Sequence, residues 1–402
     1  GEPRVVLLTG ATGFLGAYVL ADLLDKRRNH VQKVYVHVRA NDAGSAQRRL
    51  RDALAGRGLW REAWEQEGRV QAVVGDLSKP HLGLNDEDWA HLAKEVDVIV
   101  HNGALVHWVY PYSKLRAANV LSTMAVMRLA NEGRPKSVAF VSSTSALDTE
   151  YYIRFSDTSA QGVLESDPLD GSASDLKSGY GQSKWVAERL LMAAASRGLA
   201  AVIIRPGYVV GDSKTAVTNT DDFLFRLIKG SAQLGLISDM NNTINMVPVD
   251  HVARVTSLAG LAATQWPENR QTHAAVFHVT SHPTIRYNEF LGALIEYGWN
   301  VRPAEYLEWR TALENHVLAS AAAGNTGLDA DSNALFPLLH FVLDDLPTST
   351  KSPELNDANT TKLLTEAHEF DVVRGVDVPL VGLYLSWLVA VGFLPPPASK
   401  SA

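Results

Sequence analysis

The chain has no cysteine. Disulfides, thiolate catalysis and cysteine-ligated zinc are therefore excluded. A reducing compartment is compatible with that absence, and the expectation is a cytoplasmic protein. A strong excess of positive charge is also missing. The 37 basic and 44 acidic residues leave a formal net charge of −7, which argues against a nucleic-acid protein dominated by a basic surface. No membrane span is expected either. Val378 to Leu394 is a mostly apolar run of 17 uncharged residues, but a spanning helix needs roughly 20. Asp377 can cap that run and Pro379 suits its first turn. Gly382, Ser386 and Ala390 form a small-residue stripe, so the run reads as a buried C-terminal helix. No signal peptide is visible. The chain starts at Gly1 without Met, directly before a strand, which reads as a domain cut from something longer.

What is present is a chain of 402 residues, 46% of them hydrophobic. That suffices for a sizeable core in one large or two intimate domains. The first two hundred residues alternate strands (Val5–Leu8, Val34–Val38, Val70–Val74, Val96–Val100, Ser137–Ser142, Ala201–Ile204) with amphipathic helices such as 14–24, 114–130 and 182–195. Near-continuous apolar strands in that alternation predict an α/β fold, a doubly wound parallel sheet covered on both faces. After Arg205 the pattern loosens into helices 222–234 and 250–263, strands Met246–Pro248 and Val276–Thr280, and mainly helix from Arg286 on. Residues 319–333 read as a mobile loop. The expected layout is a dinucleotide-binding domain over 1–210, with 245–282 returning to it. A smaller, mostly helical substrate domain is expected over 211–244 and 283–402.

The first strand ends in Gly10, Gly13 and Gly16, a G-x-x-G-x-x-G turn that opens a helix. Gly10 permits the turn, Gly13 lets backbone approach a pyrophosphate, and Gly16 lets the helix pack on the strand. The helix N-terminus then faces phosphate. A merely structural turn is the alternative. The second strand ends in Arg39, where an acidic residue would select NAD by its ribose hydroxyl. Arg49 follows on the next helix. Two guanidinium groups match a 2′-phosphate, so NADP(H) is expected; the alternative is two solvated surface charges. Asp76 could accept from an adenine amino group with Leu77 on the ring, or Asp76 could cap a turn. Gly103 and Ala104 would admit backbone close to a cofactor. The nearby His101 and His107 have no acidic partner at ligand spacing, and no metal is expected.

Tyr180 and Lys184 lie four apart on one helical face. An ammonium near a phenol stabilises phenolate and lowers the phenol pKa, which fits a proton shuttle near neutrality. Thr144, in the hydroxyl-rich end of the fifth strand, could bond a substrate oxygen or serve a turn. Asn219, Asp221 and Asp222 sit where substrate should lie. They could recognise the ammonium of an amino-acid substrate, or cap the helix that starts at Phe223. Asp148 and Tyr151 belong to a second candidate wall.

This set of glycines with Thr144, Tyr180 and Lys184 resembles the extended short-chain dehydrogenases/reductases. Segments 103–113 (GALVHWVYPYS), 142–152 (SSTSALDTEYY), 179–185 (GYGQSKW), 205–211 (RPGYVVG), 219–224 (NTDDFL), 245–254 (NMVPVDHVAR), 333–340 (NALFPLLH) and 391–397 (VGFLPPP) narrow the resemblance. They are similar to the terminal thioester reductase domains of carrier-protein-dependent carboxylate reductases, nearest the fungal aminoadipate reductases as a group. The sequence departs from that pattern at 209–218 and 319–333. The resemblance implies a Rossmann-type fold and Thr144, Tyr180 and Lys184 as the catalytic trio. It implies NADPH held by Gly10, Thr12, Gly13, Phe14, Leu15, Gly16, Arg39, Arg49, Asp76, Leu77, Asn102, Gly103, Ala104, Tyr180, Lys184, Pro206, Gly207 and Val209. It also implies a phosphopantetheinylated carrier domain as partner, in the same polypeptide, and release of an acyl thioester as an aldehyde. The acyl group implied is 2-aminoadipyl, leaving as 2-aminoadipate 6-semialdehyde. Three rival readings stand beside it. One is a fungal peptide-synthetase-like reductase for another carrier-bound acid. A sugar-nucleotide epimerase or dehydratase is opposed by Arg39, and a non-catalytic NADP sensor by the Tyr180/Lys184 pair.

Overall fold

Seven apolar strands lie side by side in one sheet of the computed structural model, which describes residues 2–107, 109–266, 274–323, 333–335 and 351–398. They are β1 (Arg4–Thr9), β2 (Val31–Val38), β3 (Val70–Val74), β4 (Val98–His101), β5 (Ser137–Val141), β6 (Ala201–Pro206) and β7 (Ala275–Val279). Their order is β7-β6-β5-β4-β1-β2-β3, and every pairing is parallel. Val6 faces Val34 on one side and Val98 on the other. Val6, Leu7, Leu8, Val34, Val36, Ile99, Val138, Ile203 and Val276 are buried, because helices on both faces exclude water from these apolar runs. The strand order reverses between β1 and β4. A ligand crevice in such a sheet opens beyond the strand C-termini at that point.

The chain divides into two compact units. The first is Gly1–Val209, Val249–Thr280 and Pro353–Val372, and it holds the whole seven-stranded sheet. The sequence expectation assigned 353–372 to the second domain, and the structure corrects it. Helix Ala358–Glu366 is bound to β7: Asn359 Nδ2 donates to Val276 O at 2.9 Å and the Thr360 hydroxyl to His278 O at 2.7 Å. Beyond that helix, Glu369 pairs with Arg27 and with Arg254, the latter at 3.0 Å. Such long-range anchoring leaves no periodic trace in sequence. The structure also refines the helices. The first, Phe14–Ala21, runs on as a π-turn over Asp22–Lys26. The helix expected over 114–130 is split by a second π-turn, Ala117–Leu121, where Ser122 N–H reaches back five residues to Ala117 O. Single π-turns of this kind are frequent at functional sites.

The second unit is Val210–Pro248, Ser281–Ser352 and Val373–Ala402. Helix Phe223–Leu234 starts on an Asp222 cap, whose carboxylate accepts from Leu224 N–H at 2.9 Å. Helix Tyr306–Ala322 runs into the stretch expected to be a mobile loop; residues 324–332 of that stretch lie outside the described residues. The C-terminal helix, Val378–Ala390, is capped by Asp377 at 2.9 Å and buries Leu380, Val381, Tyr384, Leu385 and Leu388. Its 13 residues span about 20 Å. Of the small-residue stripe, only Gly382 is buried; a Cβ there would sit 2.2 Å from the Tyr297 ring, while Ser386 and Ala390 are exposed. Among the described residues, no helix is long and apolar enough to cross a membrane.

Candidate active site

At the C-terminal edge of β1 the chain turns through Gly10, whose φ is +79°. A Cβ there would lie 2.7 Å from Gly103 Cα, and a Cβ at Gly16 would lie 1.9 Å from Gly10 O. Only glycine permits these backbone approaches, so the ends of β1 and β4 and the first helix converge. Gly13, by contrast, is exposed, and a Cβ would meet only Gly10 O at 3.4 Å. Thr12, Phe14 and Leu15 are half-buried around it. Thr9 fastens the two strand ends: its hydroxyl accepts from Gly103 N–H at 2.8 Å and bonds His101 Nδ1 at 2.8 Å. Asn102 Nδ2 donates to Gly10 O at 3.3 Å. His101 is buried, and desolvation pushes its pKa down to about 3, so this imidazole is neutral structural material. Ala104 follows, half-buried.

The ends of β2 and β3 carry the charges. Arg39 and Arg49 are both exposed, and the Arg49 guanidinium donates to the Arg39 backbone carbonyl. That contact holds Arg49 at the end of β2 although ten residues separate the pair. Asp76 takes the turn-capping option: Oδ1 accepts from Ser78 N–H at 2.9 Å and from the Ser78 hydroxyl at 2.6 Å. Those bonds, the hydroxyl first, hold its carboxyl below the usual range, with Arg39 a weaker contributor. Leu77 lies against Gly103, where a Cβ would come within 2.7 Å of its Cδ1. At the end of β6, Pro206 is buried, Gly207 and Val209 are half-buried, and Gly207 N–H donates to Val279 O at 3.0 Å.

Tyr180 and Lys184 ride on helix Gly179–Ala195, capped by the Ser178 hydroxyl at 3.0 Å. Gly181 lets this helix start against the turn after β5; a Cβ would sit 2.7 Å from Ser145 O. That turn is Thr144–Leu147, with Ser143 as its cap and Thr144 half-buried at its start. Lys184 Nζ lies 5.7 Å from the Tyr180 ring centroid and donates to Val141 O at 2.8 Å. The electrostatics depart from the expectation. Burial pushes the Tyr180 phenol up to about 12, opposed only by a hydrogen bond from Ser143, and pushes Lys184 down to about 8, opposed by Glu188. Desolvation, which disfavours whichever form is charged, outweighs the attraction expected between the pair.

The substrate candidates fall apart. Asp148 and Tyr151 are exposed in the first unit. In the second, Asn219 Oδ1 accepts from Asp221 N–H at 3.2 Å, Asp221 pairs with Arg226 at 3.1 Å, and Asp222 is the helix cap described above. Asn219 and Asp222 take turn and cap geometry, the alternative considered for the group, and the Asp221 carboxylate is in an ion pair. Sequence reasoning missed Asn119. It sits in the π-turn, accepts from Leu105 N–H at 2.7 Å, and donates to Leu105 O and the Ser183 hydroxyl, each at 3.0 Å. A buried amide amid apolar helix positions was the available signal. Sequence reasoning also missed Glu188 and Arg205 as a pair.

A tyrosine–lysine helix beside the switch point of a parallel sheet, with a glycine turn opposite, defines an extended short-chain dehydrogenase/reductase whose cofactor is a nicotinamide dinucleotide. Residues 8–256 match the NAD-binding family model described as male sterility protein, and the chain belongs to that family. It is 34% identical to the crystal structure of the terminal R domain from the myxalamid biosynthetic pathway, with a TM-score of 0.84 over 99% of this chain and 93% of that one; it is a reductase domain of this type. It is also 50% identical over 402 residues to L-2-aminoadipate reductase of Saccharomyces cerevisiae, and 47% identical over 405 to that of Schizosaccharomyces pombe. Each match covers 98% of this chain but only 28% and 27% of those proteins. The chain thus spans little more than a quarter of the curated relatives it matches.

Proposed function

We propose that this domain uses NADPH to reduce a carrier-bound acyl thioester to an aldehyde, the acyl group being 2-aminoadipyl and the product 2-aminoadipate 6-semialdehyde. The observation that carries the reading is the 47–50% identity to L-2-aminoadipate reductases along 98% of the chain. Those relatives are more than three times as long, which supports a phosphopantetheinylated carrier domain in the same polypeptide as the partner. A cytoplasmic setting goes with this reading. The first structural unit is assigned to the dinucleotide and the second to the substrate and the carrier arm.

The residues present fit a phosphorylated dinucleotide. Gly13 is exposed where a phosphate would approach, and two exposed arginines, Arg39 and Arg49, stand at the end of β2, residues suited to a 2′-phosphate. Gly10, Thr12 to Gly16, Asp76, Leu77, Asn102 to Ala104, Pro206, Gly207 and Val209 would line the remainder. A nicotinamide held there would supply hydride to the thioester carbonyl. Thr144 and Tyr180 donate hydrogen bonds to the oxyanion that develops there, and Tyr180 passes it a proton. The resulting hemithioacetal breaks its C–S bond, giving aldehyde and free pantetheine thiol. A phenol held near 12 stays protonated at neutral pH, the form a proton donor needs. Lys184 is assigned to the ribose hydroxyls and to placing the phenol.

The test is NADPH oxidation by the chain with a panel of acyl-pantetheine thioesters, with product identification. The aminoadipyl thioester is expected to be preferred and to yield its semialdehyde. No aldehyde from any thioester overturns the reaction, and equal turnover with NADH overturns the cofactor assignment.

A further inference from the structure

Behind the Tyr180/Lys184 helix lies a buried charge network that the proposed chemistry does not use. Glu188 is four residues after Lys184 and eight after Tyr180, on the same helical stripe. It is fully buried, as are Arg205 and His278. Arg205 grips its carboxylate through Nε at 3.0 Å to each oxygen and through a terminal nitrogen at 2.7 Å. The other Arg205 terminal nitrogen lies 3.0 Å from His278 Nε2, and His278 Nδ1 lies 2.7 Å from Asn356 O. That pattern sets the histidine: Nδ1–H donates to the carbonyl and Nε2 accepts from Arg205. A neutral imidazole therefore backs the guanidinium that Glu188 pairs with. On its other side, Glu188 accepts from the Ser142 hydroxyl.

The Ser142 contact connects the network to the reaction centre. Ser142 immediately precedes Ser143, whose side chain opposes the upward shift of the Tyr180 phenol, and Ser143 precedes Thr144. The helix is thus tied to the end of β5 twice, by Lys184 to Val141 O at 2.8 Å and by Glu188 to Ser142. We infer that Glu188 is a positioning residue of the reductase site: through Ser142 it sets the strand end that carries Thr144 against the helix that carries Tyr180 and Lys184. The inference rests on the functional reading above for the roles of Tyr180 and Thr144. Lys184 is consistent with this placement, because Glu188, one helical turn further on, is the group that opposes its downward shift.

Two variants of the full chain test this. Ser142→Ala leaves the Glu188–Arg205 pair intact and removes only the tie to β5. It is expected to lower kcat on the order of tenfold, with NADPH affinity by fluorescence titration and Tm near wild type. Glu188→Gln removes the carboxylate and is expected to lower the Lys184 pKa further. That titration is followed by NMR of the [15N]lysine-labelled chain, the Lys184 signal being assigned by its loss in Lys184→Met. If Glu188→Gln does not fold, Ser142→Ala decides alone. Wild-type kcat in Ser142→Ala, or an unmoved Lys184 titration in folded Glu188→Gln, overturns the inference. A wild-type chain that reduces no thioester sinks the functional reading instead, and the lysine titration still reports on Glu188.

Discussion

The two ends of the proposed dinucleotide site manage charge in opposite ways. At the β2 end, Arg39 and Arg49 stand in water, held by little more than one backbone carbonyl. At the β5–β6 end, Lys184, Glu188 and Arg205 are buried, and each has fixed partners at hydrogen-bonding distance. An exposed cation keeps its charge without help and can wait for a phosphate. A buried charge must be matched in advance or it neutralises. The binding end can therefore be loose, whereas the reacting end has to be built in.

Four experiments sharpen that contrast. The largest effect is expected from acid. His101 and His278 are both pushed down to about 3 by burial, whereas an unfolded histidine takes a proton near 6.5. Below pH 6.5 the unfolded chain binds more protons, so stability falls as pH falls, by about 1.4 kcal/mol per pH unit for each histidine. Glu165, pushed up to about 7 by burial, works the other way: the folded chain holds its proton first, which offsets part of the loss between pH 7 and 4.5. The net decline should be steepest below pH 4.5. Urea midpoints measured from pH 7 to pH 4 check this, and a midpoint that rises below pH 4.5 contradicts it.

Next in size is Arg205→Met, which strands Glu188 as an unpaired buried charge. The expected loss is about 3–5 kcal/mol, read by chemical denaturation, and much of it should return in the double variant with Glu188→Gln. A single variant as stable as wild type would mean the pair is not matched as described. Third, Tyr180→Phe should reduce turnover on the order of 10²–10³-fold while NADPH titration stays unchanged. Wild-type turnover would remove the phenol from the chemistry. The smallest effect is expected at the exposed end. Arg39→Ser or Arg49→Ser should each weaken NADPH binding by about 1.5–3 kcal/mol, leave NADH binding nearly unchanged, and barely alter Tm. Equal losses for both dinucleotides would return these arginines to the status of surface charges.

Much of the site was legible because its signals are local. The glycine turn sits within seven residues, and Tyr180 and Lys184 within five. Arg39 ends its own strand. The sheet was legible for a related reason, since strands buried on both faces must be written as apolar runs. Pro353–Val372 was not legible, because what binds it to β7 is a few hydrogen bonds across some 80 residues of sequence. The direction of the Tyr180 shift was missed because sequence spacing gives the ammonium's proximity but not the loss of water around the phenol.

The sequence by itself determined the alternation of elements, the glycine turn after β1 and the placing of Tyr180 and Lys184 on one helical face. These follow from backbone sterics and helical period, which act over a few residues. Only the tertiary structure decided which polar groups meet out of water, as Glu188, Arg205 and His278 do, and that the helix at 358–366 packs on β7. Those outcomes depend on desolvation and on partners supplied from elsewhere in the chain, and no local pattern encodes either.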